Sequence, residues 1–444
     1  MYKNSSFKMN NKIDGFSKLN KNKKIDWIIK NHFESNNDLK KLLKSYWNSN
    51  KNVQKNHDEF AENTISNFYY PLGVAPNFLI NNKVFTLPMV TEESSVVAAA
   101  CNSAKFWFTR GGFKTKVLNT EKVGQIHFLF NGKSTRIKKF FNKNKSKLFS
   151  SIKELTKNMN KRGGGLKGLE IINKTDLIRN YYQLKGTFET DNAMGANFIN
   201  SCLEKLAESF KNLIKDDKDL TTNEKKIEIV MSILSNYTPN CLVKASVSCP
   251  INNLGPFKNL KAEEFAKKFL MAIKIAKNDK FRAVTHNKGI MNGIDAIAMA
   301  TGNDFRAIEA CAHAYACRSG KYSSLSNAFI EKNNFIFEIE IPLSMGTVGG
   351  LTKLHPIVNW SLELLNFPDS KSLMEITAVA GLAQNFAAIK SLITSGIQKG
   401  HMKMHLLNIL KQKGASGNKK NEAINYFKKN IVSVSSVEDF LKNT

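Results

Sequence analysis

Residues 61–110 and 226–400 are written in one style of sequence, and residues 112–225 in another. The outer blocks carry small and apolar runs marked by glycine, as in Ser94-Ser95-Val96-Val97-Ala98-Ala99-Ala100 and Ala296-Ile297-Ala298-Met299-Ala300. Such runs predict tightly packed, buried helices. The middle block has strand-like segments, Gln125 to Phe130, Leu169 to Ile172 and Gln183 to Phe188, between lysine-rich helical stretches. A chain that leaves one style and returns to it predicts a small domain inserted into a larger one. The expected division is an arm and first part of the large domain at 1–111, a small domain at 112–225, the rest of the large domain at 226–399, and a C-terminal appendage at 400–444. A chain of 444 residues can bury cores of this number and size.

Within the first block, Ile25, Trp27, Ile28, Ile29, Leu39, Leu42 and Leu43 have helical spacing and predict a helical arm. Pro71 to Ala75 reads as a turn, and Phe78 to Met89 as a hairpin around Asn81-Asn82-Lys83. The helix opened by Glu93 is expected to end near Gly111-Gly112. Asn131 to Arg162 is basic and is expected at the surface. Beyond Gly400, short amphipathic helices are expected at Ala423 to Val432 and Val437 to Leu441.

The N-terminal 24 residues lack the apolar core of a signal peptide, and no run of about 18 apolar residues stands out. A cytoplasmic protein without a membrane span is the expectation. The six cysteines form no paired spacing motif, so free thiols are expected and no metal site. The net charge of +29 could serve a nucleic acid, but no zinc finger, RRM signature or arginine-rich arm accompanies it. It would equally attract the phosphates of a coenzyme, and no specific nucleic-acid partner is expected.

Four clusters put ionisable groups among small residues. In Thr91-Glu92-Glu93-Ser94-Ser95, two acids precede a nearly uncharged helix; they are either capping acids or a proton-donating carboxyl. Arg282 to Asp295 holds arginine, histidine, lysine and two asparagines directly before a buried run; a lysine there needs an anionic partner or a task, unless the stretch is a solvated loop. Thr301-Gly302-Asn303-Asp304 offers a carboxylate as partner for Lys288, or an ordinary helix-start charge. His401 and His405 share a helix face, a metal-ligand spacing for which no third ligand is evident, and a single histidine there suits proton transfer. A fifth segment, Asp191 to Asn197, joins small residues to amides and could bring backbone close to a phosphate or ribose, although it is not a GxGxxG pattern.

Taken in order along nearly the whole chain, these segments resemble class II 3-hydroxy-3-methylglutaryl-CoA reductases. Gly15-Phe16-Ser17-Lys18-Leu19 is similar to the family's N-terminal motif, and Glu62-Asn63-Thr64-Ile65 to its dimer-interface motif. The resemblance continues through Pro71–Phe78, Pro88–Lys105, Asn192–Asn197, Thr285–Asp295, Thr301–Gly320, Gly346–Gly350 and Gly381–Asn385. It closes with Gly396 to Met402.

The resemblance implies an α+β fold: a large, mostly helical substrate-binding domain, an inserted ferredoxin-like α/β cofactor domain, and a C-terminal helical flap. It implies four catalytic residues, Glu93, Lys288, Asp304 and His401. It implies substrate contacts from Ser95, Arg282, Asn292, Gln384 and Asn385, and a coenzyme turn at Asn192, Met194, Gly195, Ala196 and Asn197. The implied reaction is two hydride transfers converting HMG-CoA to mevalonate and free coenzyme A, in a homodimer or higher oligomer whose site lies between subunits. In that scheme Lys288 stabilises the oxyanion, Glu93 gives a proton, Asp304 links the two, and His401 protonates the leaving thiolate. Lys167-Gly168 stands where NADH-preferring members carry an acid, which favours NADPH, with NADH as the alternative. The sequence departs from the family pattern at Asn192 (usually aspartate), Ser66 (glycine), Ser94 (proline) and Leu407 (often arginine). The competing readings are the reverse, NAD-dependent degradation of mevalonate, and a basic non-catalytic binding protein.

Overall fold

The structure is a computed structural model that describes residues 12–255, 257, 260–352, 354–394, 396, 406–407, 409–427 and 430–443. The chain forms two compact units, Met1–Pro71 and Leu72–Thr444.

In the first unit, helices α1 (Lys21–His32), α2 (Asn37–Ser45) and α3 (Lys51–Glu59) each follow an asparagine whose side chain accepts a backbone N–H of the first turn. The asparagine-rich composition is thus used for helix starts, where a side-chain oxygen satisfies an orphan donor. Ser66, one of the departures, donates its hydroxyl to Leu43 O at 2.6 Å.

The second unit opens with an antiparallel hairpin, β1 (Leu72–Ile80) and β2 (Lys83–Val90). Asn81 and Asn82 both have positive φ, 46° and 68°, as a two-residue hairpin turn of matching twist requires. Of Pro71 to Ala75, expected as a turn, residues Leu72 to Ala75 are instead the start of β1. Its Gly73 lies against Val97: a Cβ there would sit 3.1 Å from the valine methyl. Helix α4 (Val96–Phe108) and strand β3 (Lys114–Val117) follow, with Gly111 and Gly112 turning the chain between them at positive φ.

The inserted unit runs β4 (Lys122–Leu129), α5 (Ser134–Ser151), α6 (Lys153–Asn160), β5 (Gly165–Asn173), β6 (Tyr181–Glu189), α7 (Ala196–Asp216), β7 (Glu228–Leu234). Its strands pair antiparallel in the order β5-β6-β4-β7, the βαββαβ arrangement of a ferredoxin-like unit. Strand pairing moves both of its edges from 112–225, because β3 belongs to the large domain's sheet and β7 to the small one. The basic stretch is not wholly at the surface. α5 buries Ile137, Phe140, Phe141 and Leu148 against α7 and the sheet, and its lysines occupy the other face.

The large domain contains strands that the small-residue runs did not announce. β8 (Leu242–Pro250), β9 (Ser326–Glu331) and β10 (Asn334–Pro342) join β3 in an antiparallel sheet of order β3-β8-β10-β9. Alternate residues Val243, Ala245, Val247 and Cys249, and Phe335, Phe337, Ile339 and Ile341, are buried. Against this sheet pack α8 (Ala262–Asn278), α10 (Phe305–Ala316) and α12 (Ser370–Ile393); α4 and α9 (Lys280–Ala300) pack on α12, with α11 (Pro356–Leu364) beside α9. Phe386 meets Trp107 edge-on at 5.1 Å and Phe269 tilted at 5.7 Å between centroids, and Phe269 meets Phe335 edge-on at 5.2 Å, geometries that ring quadrupoles favour.

α12 corrects one expectation. By length and composition it could cross a membrane. Thr377, Gly381, Gln384 and Asn385 interrupt the apolar run in the sequence, and in the fold most of the helix is buried in the core. Helix α13 (Gly417–Tyr426) lies six residues before its expected position, and α14 (Val434–Asn443) contains the expected Val437 to Leu441; the two share a small core with Leu406, Leu410, Ala423, Phe427 and Val437. No cysteine is in a disulfide; Cys317 is exposed, Cys101 partly so, and the other four are buried.

Candidate active site

Two glycines decide where the cleft lies. A Cβ on Gly293 would come within 2.4 Å of Ala380 O, and one on Gly381 within 2.8 Å of the Ile294 side chain. α9 and α12 therefore pack backbone to backbone at this crossing. The face of α9 that passes the crossing carries Arg282, Thr285, His286, Gly289 and Asn292 at three- and four-residue intervals. With Glu93 to Val96 ahead of α4, and Gln384 and Asn385 on α12, they line a cleft of about 310 Å³. Every residue expected to touch substrate, Ser95, Arg282, Asn292, Gln384 and Asn385, is in this lining, as are Glu93 and Lys288.

The basic stretch Arg282 to Asp295 is not a solvated loop but the body of α9. Lys288 projects from the helix middle, and its Nζ lies 2.5 Å from Glu93 Oε2. Both side chains are about half exposed, and an exposed pair contributes roughly 1 kcal/mol or less to stability. The acids are not caps: α4 starts after Ser95, which holds a left-handed φ of 79° and makes no side-chain cap. That kink turns Glu93 toward α9.

Arg282 is half-buried, and burial lowers its pKa. It makes no ion pair among the described residues. A guanidinium so placed lacks a counter-charge, which an anionic ligand would supply. Gln384 donates Nε2 to Val96 O at 2.9 Å, while its Oε1 is buried without a partner. An acceptor left in that state is suited to a ligand hydroxyl or N–H.

Reading by motif missed several buried partners of these groups. His286 contacts Ser326 Oγ at 2.7 Å, and Ser326 donates to Asn385 Oδ1 at 2.7 Å. Asp295, two turns after Lys288, is pushed well above the usual carboxylate range by burial and by the adjoining Glu309 carboxyl. The sequence signal for both was a polar residue at helical spacing inside a buried run.

Asp304 lies elsewhere. It caps α10, accepting from Ala307 N at 3.2 Å, and pairs with Arg306. α9 is unbroken from Lys288 to Ala300, a rise of about 18 Å, and Asp304 lies beyond its end. Within one chain, Asp304 is not brought to Lys288 and Glu93. His401, and the histidine pair it forms with His405, fall outside the described residues. Leu407 lies in the short helical stretch next to Leu406.

The Asp191 to Asn197 segment forms the turn into α7. Gly195 has φ 92°, and a Cβ would meet the Thr190 methyl at 2.4 Å, so only glycine fits. Ala196 begins the 21-residue α7, whose first N–H groups are directed out of the turn. Asn192 Oδ1 accepts from Ser370 N at 2.8 Å, and Asn192 O from Thr347 N at 2.8 Å. An amide oxygen makes the bond that an aspartate would make, which accounts for this departure. Arg162, Gly163, Gly164, Asp191, Asn192 and Lys371 line a second cavity of about 200 Å³. Lys167 donates to Gly163 O at 2.7 Å, and Met194 lines a small apolar gap with Ile199 and Cys311.

Comparison with known proteins agrees with this geometry. Residues 21–406 match the family model for hydroxymethylglutaryl-coenzyme A reductase. The 3-hydroxy-3-methylglutaryl-coenzyme A reductase of Archaeoglobus fulgidus is 34% identical over 412 residues, 92% of this chain and 89% of that protein. The probable enzyme of the same name from Borreliella burgdorferi is 34% identical over 403 residues, 90% and 88% of the two chains. A solved class II reductase of Streptococcus pneumoniae, described as bound to NADPH in open conformations, is 34% identical, covers 86% of this chain and 99% of its own, and superposes with a TM-score of 0.71. A second structure of the Streptococcus pneumoniae enzyme covers 97% of this chain and 99% of its own at 32% identity and a TM-score of 0.72. The chain belongs to the hydroxymethylglutaryl-coenzyme A reductase family.

Proposed function

We propose that this protein reduces 3-hydroxy-3-methylglutaryl-CoA to mevalonate and free coenzyme A with NADPH, on the mevalonate route to isoprenoids. The observation that carries the reading is one cleft holding both an unpaired, half-buried Arg282 and a Lys288–Glu93 hydrogen bond. The substrate has a carboxylate at one end and a thioester carbonyl at the other, and the two features answer those groups.

Reduction of a thioester to an alcohol takes two hydrides, which a bound nicotinamide coenzyme supplies. The residues at the α7 turn fit such a coenzyme: small side chains, a glycine that no other residue can replace, and a helix N-terminus suited to a pyrophosphate. Asn192, Met194, Gly195, Ala196 and Asn197 would hold it. No carboxylate is found at Lys167 or Gly168, and Arg162 and Lys167 beside the triple glycine suit a 2′-phosphate. This supports NADPH over NADH.

Arg282 and Ser95 bind and orient the acyl carboxylate; Asn292, Gln384 and Asn385 complete its pocket. Lys288 Nζ stabilises negative charge on the carbonyl oxygen. Glu93, held against Lys288, gives its proton to that oxygen. His401 protonates the departing thiolate.

Asp304 enters from a second copy of the chain. Its distance from Lys288 along α9 supports a homodimer, because a carboxylate needed at the pair must come from the partner. A CoA thioester and a nicotinamide coenzyme meet in the cytoplasm, where we place the reaction.

The test is a spectrophotometric assay with HMG-CoA and either coenzyme. Two NADPH oxidised per coenzyme A released is the expected result. Absence of oxidation by the folded protein would refute the reading, and a strong preference for NADH would refute the choice of coenzyme.

A further inference from the structure

His286 stands one turn after Arg282 on the cleft side of α9, yet no step above uses it. It is 2% exposed. Behind it lies Ser326, the first residue of β9, 1% exposed and outside the cleft lining. With Asn385 these side chains close a ring. The Ser326 hydroxyl donates to Asn385 Oδ1 at 2.7 Å, which uses its one proton. The 2.7 Å contact between His286 Nε2 and Ser326 Oγ is then donated by the imidazole. Nδ1 is left with a lone pair, and Asn385 Nδ2 faces it at 3.4 Å.

With the Asn385 amide oriented as it is, every donor in this ring meets an acceptor only when the imidazole is neutral with its proton on Nε2. An imidazolium would turn a second N–H toward an amide N–H. Burial, and then the neighbouring Arg282 charge, push the His286 pKa down to about 3, which keeps the ring neutral near pH 7. The strand end carrying Ser326 is itself clamped to α9. Asn287 Nδ2 donates to Ser323 O at 2.9 Å, and its Oδ1 accepts from Leu325 N at 3.0 Å.

We propose that His286 is a positioning residue: as the neutral Nε2–H tautomer it works with Ser326 to fix the Asn385 amide so that the second Nδ2–H is offered to the acyl group in the cleft. A free amide could rotate half a turn and present its oxygen to an anionic ligand. While the imidazole is Nε2–H the ring opposes this, because rotation would place Oδ1 against the Nδ1 lone pair and an N–H against the Ser326 proton. The proposal rests on the reading of this cleft as the acyl site. It concerns binding held equally in ground and transition states, so it moves KM rather than kcat.

Ser326 can be changed without touching the cleft. Ser326→Ala is expected to raise the KM for HMG-CoA about tenfold, the loss of roughly one hydrogen bond. kcat should stay within about twofold and the coenzyme KM should not move. Ser326→Thr, which keeps the hydroxyl, should restore the thioester KM. Nitrogen-15 spectra of the full-length wild type should show His286 as the Nε2–H tautomer. An unchanged thioester KM in Ser326→Ala, or a fall in kcat with both KM values disturbed, would overturn the proposal. So would an Nδ1–H or charged imidazole. Failure of the wild type to reduce HMG-CoA overturns the functional reading instead; the ring is then decided by the tautomer alone.

Discussion

The mouth and the floor of the cleft are built on opposite principles. At the mouth, Lys288 and Glu93 are about half exposed and bonded to each other, and Arg282 has no partner among the described residues. At the floor, His286, Ser326 and Asn385 are almost fully buried and matched donor to acceptor. On the proposed reading, Arg282 at the mouth waits for a ligand's charge, while the floor is held together from within the chain. An exposed pair adds little stability. A buried ring left half-made would cost far more.

The largest separation between the two regions should come from Glu93→Gln. It keeps shape and removes the proton, so kcat should fall by about 10² to 10⁴ with thioester binding retained. Stopped-flow or steady-state kinetics beside direct titration of HMG-CoA would show it; equal loss of binding and turnover would erase the distinction. Next in size is a mixture of Lys288→Ala and Asp304→Asn subunits. Each is expected to be nearly inactive alone. Mixed dimers carry one intact site, so random exchange should return roughly a quarter of wild-type activity. No recovery in verified mixed dimers would mean that Asp304 is not contributed across subunits.

Arg282→Gln should raise the thioester KM about 10- to 100-fold, as expected for losing a charged hydrogen bond, with a smaller change in kcat. The crossing beneath the cleft answers to a different measurement. Gly293→Val puts side chain where Ala380 O stands 2.4 Å away, and thermal unfolding should reveal a loss of about 1–3 kcal/mol or more. A Tm equal to wild type would mean that the close helix approach is not what sets the cleft.

The last prediction concerns pH. His286 has a folded pKa near 3 against an ordinary 6.5, so the unfolded chain binds the extra proton between those values. Its contribution to stability is present above pH 6.5 and is lost as pH falls toward 3. His286→Gln should therefore lose less Tm than wild type over that interval. Parallel acid melts would contradict a buried neutral imidazole.

The two regions also differ in how far the sequence revealed them. The mouth was legible because Glu93, Lys288 and Arg282 are ionisable residues set among small ones, a costly pattern unless it serves a purpose. The floor was not, because Ser326 gives no signal until β9 folds against α9. Asn385 and Gln384 were recognised by resemblance, not by spacing. In the large domain, β8 and β10 alternate plainly, with Val243, Ala245, Val247 against Lys244, Ser246, Ser248, but the longer alanine runs on either side outweighed that two-residue period. α12 shows the converse. Its polar interruptions hid an apolar helix from a search for unbroken runs, and two of them, Gln384 and Asn385, line the cleft.

The most direct test of the account is Lys288→Ala, assayed with HMG-CoA and NADPH and titrated with HMG-CoA in parallel. The expected result is a loss of turnover of about 10²- to 10³-fold, as for removal of an oxyanion donor, while the thioester still binds through Arg282. Turnover within a few-fold of wild type would contradict the claim that the cleft between α4, α9 and α12 carries out the reduction through Lys288.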